Sequence, residues 1–326
     1  MNAGYCHEMA VRIVLQAIER SANRYKRHII PLLSMSIDFY VRVFVRVKHS
    51  PFNVKFAASK IAHVYQSLGC DAFYVQPHGS VDDVKKQNPK FRPALGPPCD
   101  SKCEFTGSRM KLLGPIWAGP LHDKEFVSRV ISHVESHRKK YGTEKRMVGQ
   151  LRVCKEELDI PLYYVHEKLV RLVRVNYKIT LLRSAILNAG YKVSQSHSHP
   201  SAIKTDAPPN VIMDILRSIV LKDPEKGKSK RGADTPGGKI MATPPQLKVD
   251  FTLVPEAEGL HAAFFPNPEE NWGPKARATG GKRKNLSLQE RREMNQNKRS
   301  RKKAEEKTSS ESCNSPQNDA QPKNSS

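Results

Sequence analysis

Six cysteines stand at positions 6, 70, 99, 103, 154 and 313 of the 326-residue chain. Their irregular spacing suits a reduced compartment better than a disulfide framework. Cys70 and Cys103 could each sit in a metal-gripping turn, but a structural zinc needs four ligands in tetrahedral array. Ser67 stands three residues before Cys70 and Thr106 three after Cys103, and neither hydroxyl is a good zinc ligand. The pair is therefore a half-site, which Cys99 and His78 or His122 could complete. The alternative is a metal-free loop packed by its own side chains. His7-Glu8, near a helix start, reads as a cap or surface pair. No Gly-x-Gly-x-x-Gly turn, nucleophile elbow or supported Ser/His/Asp order occurs, so these residues alone make no enzyme.

The chemistry that stands out is cationic. The chain holds 55 Lys and Arg against 32 Asp and Glu, a net charge of +23, and such a field favours polyanions, nucleic acid before anionic membrane. Residues 222–326 carry only +7 of it, leaving +16 on 1–221. Arg42 and Arg46 share one face of a strand, about 13 Å apart at ~3.3 Å per residue. That spacing spans two backbone phosphates, or else belongs to a solvated outer face. The polar run YKVSQSHSHPSAIKTD, Tyr191 to Asp206, offers Lys192, Lys204, Ser, Gln and His as donors for an RNA groove, or is an exposed wing. Between Lys282 and Lys303 lie ten Lys and Arg and two Glu. The clusters Lys282-Arg283-Lys284 and Lys298-Arg299-Ser300-Arg301-Lys302-Lys303 suit a bipartite nuclear import signal, read by an import receptor, or a phosphate-binding arm.

The elements positioning these groups follow from periodicity. Helical spacing of Met9, Ile13, Val14, Ala17 and Ile18 predicts an amphipathic helix over 6–28, ended by Pro31. Strict alternation from Ser36 to Lys48 predicts one strand with its odd positions buried. Two short strands are expected within 54–76, the second at Ala72–Val75, and a long ordered loop or hairpin region over 77–122, rich in Pro and Gly. Asp123 is a plausible N-cap for a helix carrying Phe126, Val127, Val130, Ile131 and Val134. Further helices are expected near 143–158, 165–175, 178–189 and 210–221, with a strand pair between the last two. Two helices followed by a strand pair is the order of a winged-helix module. Beyond Lys222 the composition predicts a mostly disordered tail, with one alternating stretch, Gln246 to Leu253, able to dock on the body.

No apolar run approaches the ~18–20 residues that span a bilayer, and the start lacks a secretory pattern. The chain reads as intracellular, without membrane partners.

Several runs carry a resemblance. CHEMAVRIVL (6–15), PLLSMSIDFYVRVFVRV (31–47), GPIWAGPLHDKEFV (114–127), PLYY (161–164), SHPSAIKTDAP (198–208) and NPEENWGPKAR (267–277) resemble, in order, the C-terminal portion of the tRNA (guanine(26)-N(2))-dimethyltransferase family. Among its members the chain looks most like the dimethyltransferase-like animal paralogue. The resemblance implies an enzyme that transfers methyl from S-adenosylmethionine to a guanine exocyclic amine of tRNA. In it a Rossmann-type domain holds the cofactor and an acidic Asp-Pro-type motif, and a C-terminal domain helps hold the tRNA. Neither the cofactor glycines nor the acidic motif is found in this chain, so it is expected to be inactive alone, with no catalytic or cofactor-binding residue of its own. Cys70 and Cys103 match one cysteine of each zinc pair in the family.

The implied fold class is α+β. Residues 1–50 form the remnant of a Rossmann-type methyltransferase sheet, and 51–122 a strand and loop region with degenerate zinc-ribbon-like cysteines. Residues 123–221 form a helical, winged-helix-like tRNA-binding domain, and 222–326 a disordered basic tail. The expected partner is tRNA and the expected location nuclear, including the nucleolus. The competing readings are a non-catalytic nuclear RNA- or DNA-binding adaptor, a truncated isoform, and a winged-helix transcription factor.

Overall fold

The computed structural model describes residues 3–82, 89–225 and 228–258. Helix α1 (Cys6–Asn23) buries Val11 and Leu15 and ends well before the expected position 28. Lys26, at φ 57°, reverses the chain, so Pro31 lies inside a strand and does not terminate the helix. That strand, β1 (Arg27–Ile37), pairs antiparallel with β2 (Tyr40–His49). Pro31 is tolerated because the register slips between it and Leu33, a bulge where a missing N–H costs little.

The single strand expected over 36–48 is thus corrected to the end of one strand, a turn and a second strand. Asp38, at φ 49°, makes the turn and accepts from Arg146 at 2.6 Å, which ties the hairpin tip to the helical region. Alternation cannot detect such a break when the turn residues keep the polar–apolar beat.

Short helices α2 (Pro51–Val54) and α3 (Ala57–Lys60) lead into β3 (Ile61–Ser67) and β4 (Phe73–Pro77). A small hairpin follows, β5 (Gly79–Asp82) with β6 (Lys90–Pro93). The expected loop over 77–122 also contains β7 (Met110–Trp117), which pairs with β3 to give the order β4-β3-β7. Pro115 had argued against a strand there, yet β7 carries a register break opposite Ala62 and Val64 that accommodates it. Trp117, Ile116, Ala62 and Val64 are buried beneath α1 and its neighbours.

The helical half agrees closely with its pattern. In α4 (Lys124–Ser136) the Asp123 carboxylate accepts from the N–H groups of Glu125 and Phe126, a cap worth about 1 kcal/mol. Then come α5 (Glu144–Glu156), β8 (Tyr164–Val165), α6 (His166–Val173), α7 (Ile179–Asn188), β9 (Val193–Ser196), β10 (His199–Thr205) and α8 (Pro209–Leu221). The small sheet has the order β8-β10-β9.

The tail expected beyond 222 is ordered where described. Helix α9 (Pro236–Met241) buries Ile240 in the largest core. Leu247, Val249 and Phe251 pack on the same core, and Asp214 accepts from the N–H groups of Gln246 and Leu247. The 246–253 stretch therefore docks, as an irregular strap and not a strand. Its apolar side chains outweigh the polar composition around them.

Candidate nucleic-acid interface

Lys204 and the histidine-rich hairpin, read from sequence as RNA-facing, point inward. This is a correction. Lys204 is fully buried, its Nζ 3.0 Å from Glu8 Oε1 and 2.6 Å from Glu157 Oε1, so it cannot reach a phosphate. Ser194, Gln195, Ser196 and His197 are buried with it. Glu8, expected at a surface or cap, is fully buried as well. It accepts from Arg12 Nε at 2.8 Å and from the Leu162 N–H at 2.9 Å. Arg12 spends its other donors on the carbonyls of Trp117 (2.8 Å), Gly119 (2.9 Å) and Ile160 (3.3 Å). Two carboxylates and two cations balance, which is the condition for burying charge at tolerable cost.

Glu157, just past α5, is the hub. It accepts from Ser196 Oγ at 2.9 Å, the His197 N–H at 3.2 Å and His197 Nδ1 at 2.7 Å, with His122 Nε2 at 3.6 Å. Burial pushes its carboxyl up, but Lys204, His197 and His122 together hold it well below the ordinary range. Glu8 is likewise lowered, against burial, by Lys204 and Arg12. Burial lowers His122.

His122, Cys154 and His197 come within 4.8 Å of one another and are all buried. Their hydrogen bonds argue against a metal. Backbone N–H groups of Ser34 and Ser36 donate to His122 Nδ1 (3.4 Å) and His197 Nε2 (3.3 Å), so the ring protons face Glu157. A ligating imidazole does the reverse, presenting a bare nitrogen to the metal and donating from the other. The centre is a carboxylate held by donors, and it joins α1, α5, the approach to α4, the β1–β2 hairpin and the β9–β10 hairpin.

Arg42, Arg46 and Lys192 are exposed. Arg42 pairs across the ladder with Met35 and Arg46 with Ile30, and the Arg42 guanidinium lies 5.2 Å from the Tyr40 ring centroid. Lys192 opens the β9–β10 hairpin, its N–H donating to Asp206 Oδ1 at 2.7 Å. Lys282, Arg283, Lys284, Lys298, Arg299 and Arg301 lie outside the described residues. Sequence reasoning missed Glu8, Arg12 and Glu157. The available signal was Glu8 and Arg12 inside an otherwise apolar helical stretch; Glu157, flanked by Lys155, Glu156 and Asp159, carried none.

Cys70 and Cys103 do meet, Sγ to Sγ at 3.7 Å, with Ser67 Oγ accepting from the Cys70 N–H at 3.3 Å and Thr106 beside Cys103. Neither histidine completes a metal set. His78 stacks on His63, with Nε2 2.8 Å from Nδ1, and His122 belongs to the Glu157 centre. Cys99 does not join them, since among the described residues the three thiols do not converge within ligating distance, and two thiols and two hydroxyls do not fit a structural zinc.

The fold is mixed α+β, built of small antiparallel sheets. The model of the N2,N2-dimethylguanosine tRNA methyltransferase family matches residues 1–217. The chain is 44% identical to the tRNA (guanine(26)-N(2))-dimethyltransferase of Mus musculus over 303 residues, covering 90% of this chain and 45% of that protein. It is equally similar to the Homo sapiens enzyme, over 90% of this chain and 46% of that one. Trm1 from Pyrococcus horikoshii, solved in complex with S-adenosyl-L-methionine, superposes with a TM-score of 0.51 at 25% identity, covering 66% of this chain and 51% of that one. The chain therefore belongs to the N2,N2-dimethylguanosine tRNA methyltransferase family. It spans about half the length of the relatives it matches.

Proposed function

We propose that this chain is the tRNA-holding part of an S-adenosylmethionine-dependent tRNA guanine-N2 methyltransferase, and that alone it binds tRNA without transferring methyl. The observation that carries this reading is the family match over 1–217 on a body with net charge +16. Among the described residues every strand pairing is antiparallel, and no glycine-rich turn joins a strand to a helix. A dinucleotide-type cofactor cradle needs both a parallel sheet and that turn, which supports the reading that these residues do not hold S-adenosylmethionine. Residues 1–50 belong, on this reading, to a larger methyltransferase sheet. On β2 the two ends of the Val41–Val47 row and Phe44 on the opposite face are 37%, 44% and 45% exposed, apolar surface that a larger sheet would cover.

The order α5, β8, α6, α7, β9, β10 with sheet order β8-β10-β9 supports a winged-helix-like tRNA-binding part. It does not favour a duplex-DNA reader. The helix that would read a groove, α7, is covered by the chain's own strap: Asn188 donates to the carbonyls of Asp250 and Thr252, and Ser184 accepts from Val254. Nuclear entry is assigned to the clusters at 282–284 and 298–303; neutralising both should leave the protein outside the nucleus on imaging.

The test combines tRNA binding at two salt concentrations with a methyl-transfer assay on the same preparation. Salt-sensitive tRNA binding without transfer supports the proposal. Equal affinity for tRNA and duplex DNA would favour an adaptor, and methyl transfer would refute inactivity.

A further inference from the structure

Two tight turns face each other where β3 ends and β7 begins. In the first, the Ser67 N–H donates to the Ala72 carbonyl, and Ser67 Oγ accepts from the N–H groups of Gly69 and Cys70. In the second, the Cys103 N–H donates to the Ser108 carbonyl and the Gly107 N–H to the Cys103 carbonyl, both at 2.7 Å, with Gly107 at φ 65°. The turns are in contact. A Cβ at Gly69 would fall 2.3 Å from Ser108 Oγ and 2.6 Å from Thr106 Oγ1. The turn geometry brings the Cys70 and Cys103 sulfurs to 3.7 Å.

We propose that Cys70 and Cys103 form a reversible thiol–disulfide site, oxidised by hydroperoxides, which clasps the two turns covalently. The two thiols differ in the manner this chemistry requires. Cys103 is held down at about 5 by the Cys70 thiol, against the opposing effect of burial, and by Ser67, Thr106 and the Phe105 N–H. Cys70 is pushed up by its bond to Cys103 and by burial. Cys103 is then the attacking thiolate and Cys70 the resolving thiol. A pocket lined by Tyr74, Cys99, Lys102, Glu104 and Met110 opens onto Cys103, giving a small oxidant a path. Cys70, 1% exposed, has no such access.

The reaction balances. The Cys103 thiolate attacks one peroxide oxygen, the O–O bond breaks, and the departing hydroxide takes a proton to become water. The Cys70 sulfur, losing its proton, attacks the resulting sulfenic acid. The S–S bond forms, the S–O bond breaks, and a second water leaves.

The experiment treats the full chain with hydrogen peroxide, blocks remaining thiols under denaturing conditions, and maps cysteine peptides by mass spectrometry with and without reductant. The expected product is one reductant-sensitive crosslink, Cys70 to Cys103. With Cys70→Ser, Cys103 should instead be trapped by a sulfenic-acid probe. Alkylation of Cys103 in the reduced chain should be nearly flat in rate above about pH 6, whereas an ordinary thiol gains rate up to about pH 8.5. Both thiols remaining free after peroxide, a crosslink between Cys99 and Cys103, or one zinc per chain released on thiol modification would each overturn the proposal. The wild-type map needs no variant to fold.

Discussion

In the 191–206 hairpin a polar sequence lies inside the protein, while on β2 an apolar sequence lies outside it. Ser196, His197 and Lys204 are buried because two carboxylates, Glu8 and Glu157, come from distant segments to receive their protons, while Ser194 accepts from the Leu158 N–H and Gln195 donates to the Pro200 carbonyl. Val41, Phe44 and Val47 are exposed because only part of the hairpin meets another layer. Val43 and Val45 alone reach the cluster of Val11, Leu15, Ile29 and Trp117. Side-chain type thus reports which face a residue shares, whereas burial depends on what the rest of the chain brings to that face.

The sharpest way to break this comparison is to remove Lys204. With Lys204→Met, Glu8 and Glu157 are left facing each other in the interior, and breaking a buried pair in this way costs about 3–5 kcal/mol. A melting temperature lower by roughly 10 °C is expected from scanning calorimetry. Adding Glu157→Gln should recover part of the loss, since the acid no longer needs a cation. If Lys204→Met melts with the wild type yet binds tRNA less tightly, Lys204 is an RNA contact after all.

Arg42 and Arg46 are the opposite case. Replacing either with Ala should leave the melting temperature within about 1 °C, because exposed positions away from special features change stability by less than ~0.5 kcal/mol. If each neutralises one phosphate, each replacement should reduce the log–log salt slope of tRNA binding by about 0.7–0.9. Filter binding across a salt series measures this, and unchanged slopes would return both arginines to a solvated face.

Acid should loosen the interior region first. Burial lowers His122 in the folded state, so protons bind the unfolded chain preferentially below its ordinary value near 6.5, and stability falls as pH drops through that point. The net lowering of Glu157 and Glu8 by their cationic neighbours, against burial, adds stability that is full above about 4.5 and lost as pH falls through their depressed folded values. The urea midpoint should therefore drop from pH 7 to 5 and again below 4.5. His122→Gln should reduce the upper drop, the remainder resting on His28, His78, His166 and His199, which burial also lowers. It should also shrink the lower drop slightly, because His122 helps hold Glu157 down.

The helices from Asp123 to Leu221 were legible because apolar spacing, the Asp123 cap and the Gly190 stop coincide with local physics. The Asp38 turn was not, since it leaves the alternation unbroken. The Glu157 centre was invisible for a different reason. Glu8 and Lys204 are 196 residues apart, and no local pattern encodes a neutralising partner at that separation. The cysteines were half legible: the sequence marked Cys70 and Cys103, with Ser67 and Thr106 beside them, as an incomplete half-site, but not that their sulfurs would approach to 3.7 Å.

The smallest effect tests the exposed side of the comparison directly. Val41→Thr with Val47→Thr retains β-branching and strand propensity while adding two hydroxyls to the exposed ends of the apolar row whose middle, Val43 and Val45, is packed. If those two ends are uncovered in the isolated chain, stability should change by no more than ~0.5 kcal/mol. Self-association, seen by sedimentation at rising concentration, should weaken, because an exposed apolar strand is a pairing surface. A loss of stability well above that figure would mean the two valines are buried in solution, and that β2 resembles the buried hairpin more than its opposite.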